Sequence, residues 1–170
     1  MGEAFDKVAR VMGIPYPGGA EMDRLASIGN PGTVAFPSAA IAGESLDFSF
    51  SGLKTHVINY IHTITQRGEE IPKADIAASF TASVTSSVIK KLELAFSNRK
   101  CRSLVLAGGV SANSHLRKAL ESYTSSSGIR FYVPRFLCGD NAAMIGAQTY
   151  YELLAGNTAG AELNAFATGE

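Results

Sequence analysis

Apolar positions recur along the chain first at helical spacing and later in an alternation of short strands and helices. Over residues 3–12, Ala4, Phe5, Val8, Val11 and Met12 share one helical face that closes at Gly13. A stretch over 14–20 with Pro15, Pro17, Gly18 and Gly19 is a turn that bares backbone. Met22, Leu25, Ala26 and Ile28 predict a short helix over 21–28, stopped by Gly29, Asn30, Pro31 and Gly32. Residues 34–42 are apolar but interrupted by Pro37 and Ser38, which predicts a loop with a short strand. Leu46, Phe48 and Phe50 alternate with Asp47, Ser49 and Ser51, the period of a half-buried strand, before Gly52 and a helix over about 53–65.

A charged connector over 66–71 leads to Pro72, which opens the longest predicted helix, ending near residue 98. Ile76, Phe80, Val84, Val88, Leu92 and Phe96 recur there at i+4 and give a face wide enough to bury. The middle of that helix is rich in Ser and Thr, so packing rather than intrinsic propensity must hold it. Thereafter the pattern predicts a strand over 103–107, a helix over 113–122, a loop over 124–128 and a strand over 129–133. A connector over 134–139 and a helix over 141–155 follow. The class is α/β, with a mainly helical part over 1–100, a strand-helix part over 101–156 and a loop-like tail over 157–170.

Composition narrows this picture. The 170 residues are 46% hydrophobic, enough for one well-buried core. Fifteen basic against fifteen acidic residues give a net charge of +0, which argues neither for nor against an RNA partner and leaves room for a local patch. Cys101 and Cys138 are too few and too distant for a disulfide framework or a zinc knuckle, and read as buried thiols in a reducing compartment. No apolar run reaches about 18 residues and the N-terminus is charged, so the expectation is a cytoplasmic protein with no membrane partner. Asp6 replaces the Ser or Thr that myristoylation at Gly2 requires. A helix that begins with no lead-in reads as part of something longer.

Candidate chemistry concentrates in two turns. At 104–117 an apolar strand runs into Gly108 and Gly109 and then a helix, so a ligand can reach bare backbone and unpaired N–H groups, with Asn113 beside them. Downstream, Asp140 and Asn141 sit at the mouth of another apolar helix, which suggests two turns facing one cleft. Asp140 is either a ligand for a metal or a phosphate-bound ion, or a helix cap. His56, His62 and His115 lack metal-pair spacing. Lys54 is either a solvent-facing lysine or a phosphate contact outside any P-loop pattern. Ser111 lies in GGVSAN, which is not a nucleophile elbow. From spacing alone, Asp6 and Asp23 read as solvated helix faces flanking the Pro-Gly-Gly turn.

Five stretches in order, GEAFDK at 2–7, YPGG at 16–19, LDFSFSGLKT at 46–55, LAGGVSAN at 106–113 and LCGDNAAMIG at 137–146, resemble the TsaD family. Its members, formerly called glycoproteases or O-sialoglycoprotein endopeptidases, make threonylcarbamoyladenosine in tRNA. The resemblance implies an actin-like (ASKHA) fold of two α/β lobes, of which this chain is the C-terminal one with helical additions, the first lobe missing. It implies transfer of the threonylcarbamoyl group from threonylcarbamoyl-AMP to the adenosine beside the anticodon of tRNAs reading ANN codons. Asp6, Gly19, Asp23 and Asn113 would bind that substrate, with Gly108 and Gly109 as a backbone cradle. Asp140 would act through a divalent metal, iron or zinc, whose site is incomplete here because the family's HxxxH pair lies upstream of GEAFDK. Gly139 stands where the family commonly has Thr. Implied partners are tRNA, the other proteins of the threonylcarbamoyladenosine complex and the missing N-terminal lobe, with self-association through surface meant for that lobe. The chain by itself is expected to be inactive. The alternative is a non-catalytic paralogue that assists complex assembly, while a sugar kinase of the same fold would lack FSFSGLKT and GEAFDK.

Overall fold

The structure is a computed structural model that describes residues 1–99, 101–134 and 138–164. It is α/β: helices α1 (Gly2–Val11), α2 (Gly19–Ala26), α3 (Phe50–Gln66) and α4 (Lys73–Asn98) precede strand β1 (Ser103–Val105). Helix α5 (Ser114–Ser127), strand β2 (Arg130–Tyr132) and helix α6 (Ala142–Leu154) follow. β1 and β2 pair in parallel, Ser103 with Arg130 and Val105 with Tyr132, with α5 as the crossover that parallel strands require.

The core lies where α1, α2, α3 and α4 meet. Phe5 and Val8 of α1, Met22 of α2, Leu53 and Val57 of α3, and Ile76, Phe80 and Val84 of α4 are buried together. Phe80 stands edge-on to Phe5 with ring centroids 5.0 Å apart. Burying a side chain of this kind fully contributes roughly 1.5–3 kcal/mol. α2 packs so closely on α4 that a Cβ at Gly29, just past its end, would run into the Ala74 backbone. The Ser and Thr positions of α4 have a specific use. Ser87 accepts a hydrogen bond from the Ala39 amide at 2.9 Å, Ser79 accepts one from Val34 at 3.3 Å, and Ser83 donates to the Pro37 carbonyl at 2.7 Å. Lys91, buried one helical turn beyond Ser87, donates to the carbonyls of Ile41 and Ser45. The long loop between α2 and α3 is thus laid along a polar seam of α4.

Four expectations change. Residues 46–51 form no strand: Phe48 makes one isolated bridge with Ala40, and Phe50 already opens α3. The alternation buries no face, since Leu46 is 50% exposed, and Phe48 stacks on Phe50 instead, centroids 5.7 Å apart. Residues 124–127 are helical rather than loop. Thr124 is buried against its own helix, donating to the Leu120 carbonyl, and α5 ends only at Gly128, whose φ of 65° is a left-handed cap. The helix expected from 113 is preceded by a separate 3-10 turn over Gly109–Ala112. Neither cysteine is buried: Cys101 is exposed and Cys138 half-buried. Among the described residues no helix is long and apolar enough to cross a membrane. The expectations at 135–137 and 165–170 lie outside the described residues.

Candidate functional site

α1 turns its apolar face inward and leaves Asp6 half-buried at its edge. Asp6 Oδ1 accepts the Gly18 amide at 2.9 Å, fixing the turn that carries Pro17. That turn can sit there only because residue 18 is glycine, since a Cβ would collide with Ala9. Gly19 is different: a Cβ there would meet nothing within 4 Å, so its lack of a side chain keeps space open rather than permitting packing. One turn further along α2, Asp23 Oδ1 accepts the Ser114 amide at 3.0 Å and ties α2 to the start of α5.

The first glycine-rich turn meets these residues from the other side. Gly108, at φ 87° and ψ 170°, occupies backbone space that is essentially glycine-only. Gly109 and Val110 open the 3-10 turn, so their N–H groups have no carbonyl to reach within it. Asn113 caps α5, its Oδ1 accepting the Leu116 amide at 2.8 Å, and its Nδ2 has no partner among the described residues. Ser111 is buried and Arg117 holds its carbonyl at 2.8 Å, a structural position rather than a nucleophile's.

Between the two sides lies a cleft of ≈ 570 Å³, within the range of roughly 300–1,000 Å³ typical of small-molecule sites. Asp6, Gly19, Asp23, Gly109 and Asn113 all line it, with Phe5, Pro17 and Val110 as apolar walls. Asp6 and Asp23 are therefore not merely solvated helix faces. The arrangement offers carboxylate acceptors, an amide donor and bare backbone N–H groups around apolar surface, the chemistry that suits ribose hydroxyls and a planar base. The apolar lining, including Pro17 and Phe5, escaped the sequence reading; the Pro-Gly-Gly turn was its one signal.

The second turn touches the first, the Gly108 amide donating to the Cys138 carbonyl at 2.7 Å. Asp140 is exposed and is not among the residues lining the cleft. It does not cap α6 either: Asn141 does, its Oδ1 accepting the Met144 amide at 2.9 Å while its Nδ2 donates to Gly139. A resident metal ion needs about three or four donors, and among the described residues no three His, Cys, Asp or Glu side chains gather to supply them. The residues described do not by themselves fit a metal. His115 instead pairs with Ser27 at 3.2 Å, and His56 stands edge-on to Phe36.

A second cavity of ≈ 580 Å³ lies on the other side of Asp6, lined by Glu3, Lys7, Arg10, Ile14, Pro15 and Tyr16. Glu3 and Lys7 form an ion pair one helical turn apart. The Lys7 ammonium holds the Glu3 carboxyl below its ordinary range, with a smaller contribution from Lys54 of α3, and Glu3 in turn raises Lys7.

A family model described as tRNA N6-adenosine threonylcarbamoyltransferase, TsaD, matches residues 1–147. A protein of that name from Moorella thermoacetica is 53% identical over 165 residues, covering 96% of this chain and 48% of the relative. Proteins of the same name from Clostridium botulinum strain Kyoto and Clostridium perfringens strain ATCC 13124 are 44% and 46% identical, covering 48% and 49% of their lengths. The chain thus spans about half the length of the curated relatives it matches. Among solved structures, full-length HypF in its phosphate- and nucleotide-bound form aligns with a TM-score of 0.63 at 21% identity, over 91% of this chain and 20% of that one.

Proposed function

The chain belongs to the TsaD family, and from that premise we propose that it forms one wall of the cleft where threonylcarbamoyl-AMP gives its acyl group to a tRNA adenosine. The observation that carries this is convergence: Asp6, Gly19, Asp23, Gly109 and Asn113, from three separate stretches, line one cleft of nucleoside size. Asp6 and Asp23 accept from ribose hydroxyls with the carboxylate oxygens that Gly18 and Ser114 leave unused. Asn113 offers its Nδ2 to the adenine or ribose, and the Gly109 and Val110 amides face the phosphate end. Holding the mixed anhydride in one orientation lets the exocyclic amine of the acceptor adenosine attack the carbamoyl carbon. The new N–C bond forms, the anhydride C–O bond breaks, the amine loses a proton and AMP leaves.

The likeness to HypF is one of fold alone; in this reading the chain is one lobe of an actin-like (ASKHA) architecture, and a second lobe would close the cleft. Asp140 is the position from which this half would contribute to an iron or zinc ion, the remaining donors coming from outside the described residues. The other proposed partners are tRNA and the proteins that assemble with the whole enzyme. The test is a chimera in which these residues replace the matching half of the Moorella thermoacetica relative. The chimera is expected to form threonylcarbamoyladenosine in tRNA, and its Asp140→Ala variant to lose that activity and bound metal together. A folded chimera that binds its partner proteins yet modifies no tRNA would favour the non-catalytic paralogue.

A further inference from the structure

We propose that Arg117 is a positioning and specificity residue of the main cleft: from behind the Gly109–Ala112 turn its guanidinium braces one wall and supplies the positive charge that lets the cleft favour an anionic nucleotide over a neutral nucleoside. This rests on the nucleotide reading of that cleft and deepens it by naming what offsets the ligand's charge. The lining itself lacks such a charge. Asp6 and Asp23 stand on one side, and no lysine, arginine or histidine is among the lining residues. Carboxylates facing a phosphate repel it, so a cation has to act from just outside the lining. Gly109, Val110 and Ala112 form the opposite wall, and Arg117 is bonded to that wall. Its Nη2 donates to the carbonyl of Ser111, the residue before Ala112, at 2.8 Å.

Arg117 does little for the helix that carries it. It lies in the first turn of α5, its own amide bonded to the carbonyl of the capping residue Asn113 at 3.1 Å, and a helix dipole disfavours a cation there. Its Nε is buried and has no acceptor among the described residues, which costs stability. No carboxylate pairs with it among the described residues, so its charge is not cancelled. The contact that the guanidinium does make is with the cleft wall. At the other end of the same turn the Gly108 amide donates to the Cys138 carbonyl at 2.7 Å, so the turn is held at both ends. Because Arg117 is half-buried, water screens its charge less than that of an exposed side chain. The phosphate of a bound nucleotide therefore lies towards Arg117, and the ribose towards Asp6 and Asp23.

The test is calorimetric titration of AMP and of adenosine, at low and high salt, into the full chain and into its chimera with the Moorella thermoacetica relative. Each is compared as parent, Arg117→Lys and Arg117→Gln, with unfolding midpoints recorded alongside. Arg117→Gln keeps an amide donor for the Ser111 carbonyl but removes the charge, whereas Arg117→Lys keeps the charge. The parent is expected to bind AMP more tightly than adenosine, by a margin that narrows as salt rises. Arg117→Gln should cut that margin about fivefold while leaving adenosine affinity within about twofold, the order expected of one charge acting across a turn. Arg117→Lys should retain most of the margin. A margin that Arg117→Gln leaves unchanged, that Arg117→Lys fails to retain, or that salt does not narrow would overturn the proposal. So would equal losses for both ligands in step with a falling midpoint, which would make Arg117 a structural brace only. Adenosine binding by the parent shows separately whether the nucleotide reading stands. Binding of neither ligand by either folded parent would overturn that reading and this proposal with it.

Discussion

Asn113 has two duties that substitution separates. Its Oδ1 caps α5 through the Leu116 amide, while its Nδ2 is left for the cleft. Asn113→Asp keeps the capping acceptor and removes the donor, so unfolding in denaturant should stay near that of the parent while adenylate affinity falls. Asn113→Ala should lose affinity and also about 1 kcal/mol of stability, the usual value of such a cap. If the two variants matched in stability, the cap would not be contributing as the geometry indicates. Gly19 and Gly18 make a similar contrast within one dipeptide. Gly18 is required by close approach to Ala9, whereas Gly19 borders empty space. Nothing in the sequence distinguishes the two glycines, because the difference lies in what α1 brings opposite each of them.

At the scale of elements, α4 explains itself only through the loop it carries. A Ser- and Thr-rich helix is poor by propensity, yet Ser79, Ser83 and Ser87 serve the backbone of residues 34–39, which pairs in no sheet among the described residues. Ser87→Ala should leave the buried Ala39 amide unpaired and destabilise the fold by about 1–3 kcal/mol in chemical denaturation. Ser97→Ala, at an exposed serine near the end of the same helix that serves no loop, should change little. The stripes of α1 and α2 were legible because each buries one face, although Ile28 falls past the end of α2 and is exposed; α4 departs from its stripe, buried all round over residues 76–81 and only half-buried at Val88, Leu92 and Phe96. The alternation at 46–51 misled because, among the described residues, it pairs only through the isolated Ala40–Phe48 bridge and gains no neighbouring strand to bury its apolar side. The extent of α5 was hidden because Thr124, a turn-favouring residue, satisfies its hydroxyl within the helix.

For the whole molecule, the main contrast is between α1 to α4, which share a dense core, and α6, none of whose residues is buried. Ile145, Tyr151, Leu153 and Leu154 are each more than half exposed, and Val105 and Tyr132 leave one face of the small sheet open. Parallel sheets and helices this apolar are ordinarily covered, and the chain spans about half the length of its relatives. Sedimentation should therefore show concentration-dependent self-association of the chain, reduced by Leu154→Glu in α6; a monomer at high concentration would argue otherwise. As for the site, four of the five motifs, with Asp23 just after YPGG, pointed to the candidate residues, but only the fold shows which of them share a cleft. Asp6, Gly19, Asp23, Gly109 and Asn113 do so, and Asp140 stands apart.

That cleft is most directly tested by calorimetric titration of a non-hydrolysable threonylcarbamoyl-AMP analogue into the chain joined to the complementary half of the Moorella thermoacetica relative, as parent and as Gly19→Leu. A Cβ at this cleft-lining position meets nothing within 4 Å, so a side chain there takes up cleft space. Binding to the parent and loss of binding in Gly19→Leu, with an unchanged unfolding midpoint, is the expected result. Equal affinity in the two folded proteins would contradict the assignment of this cleft as the adenylate site.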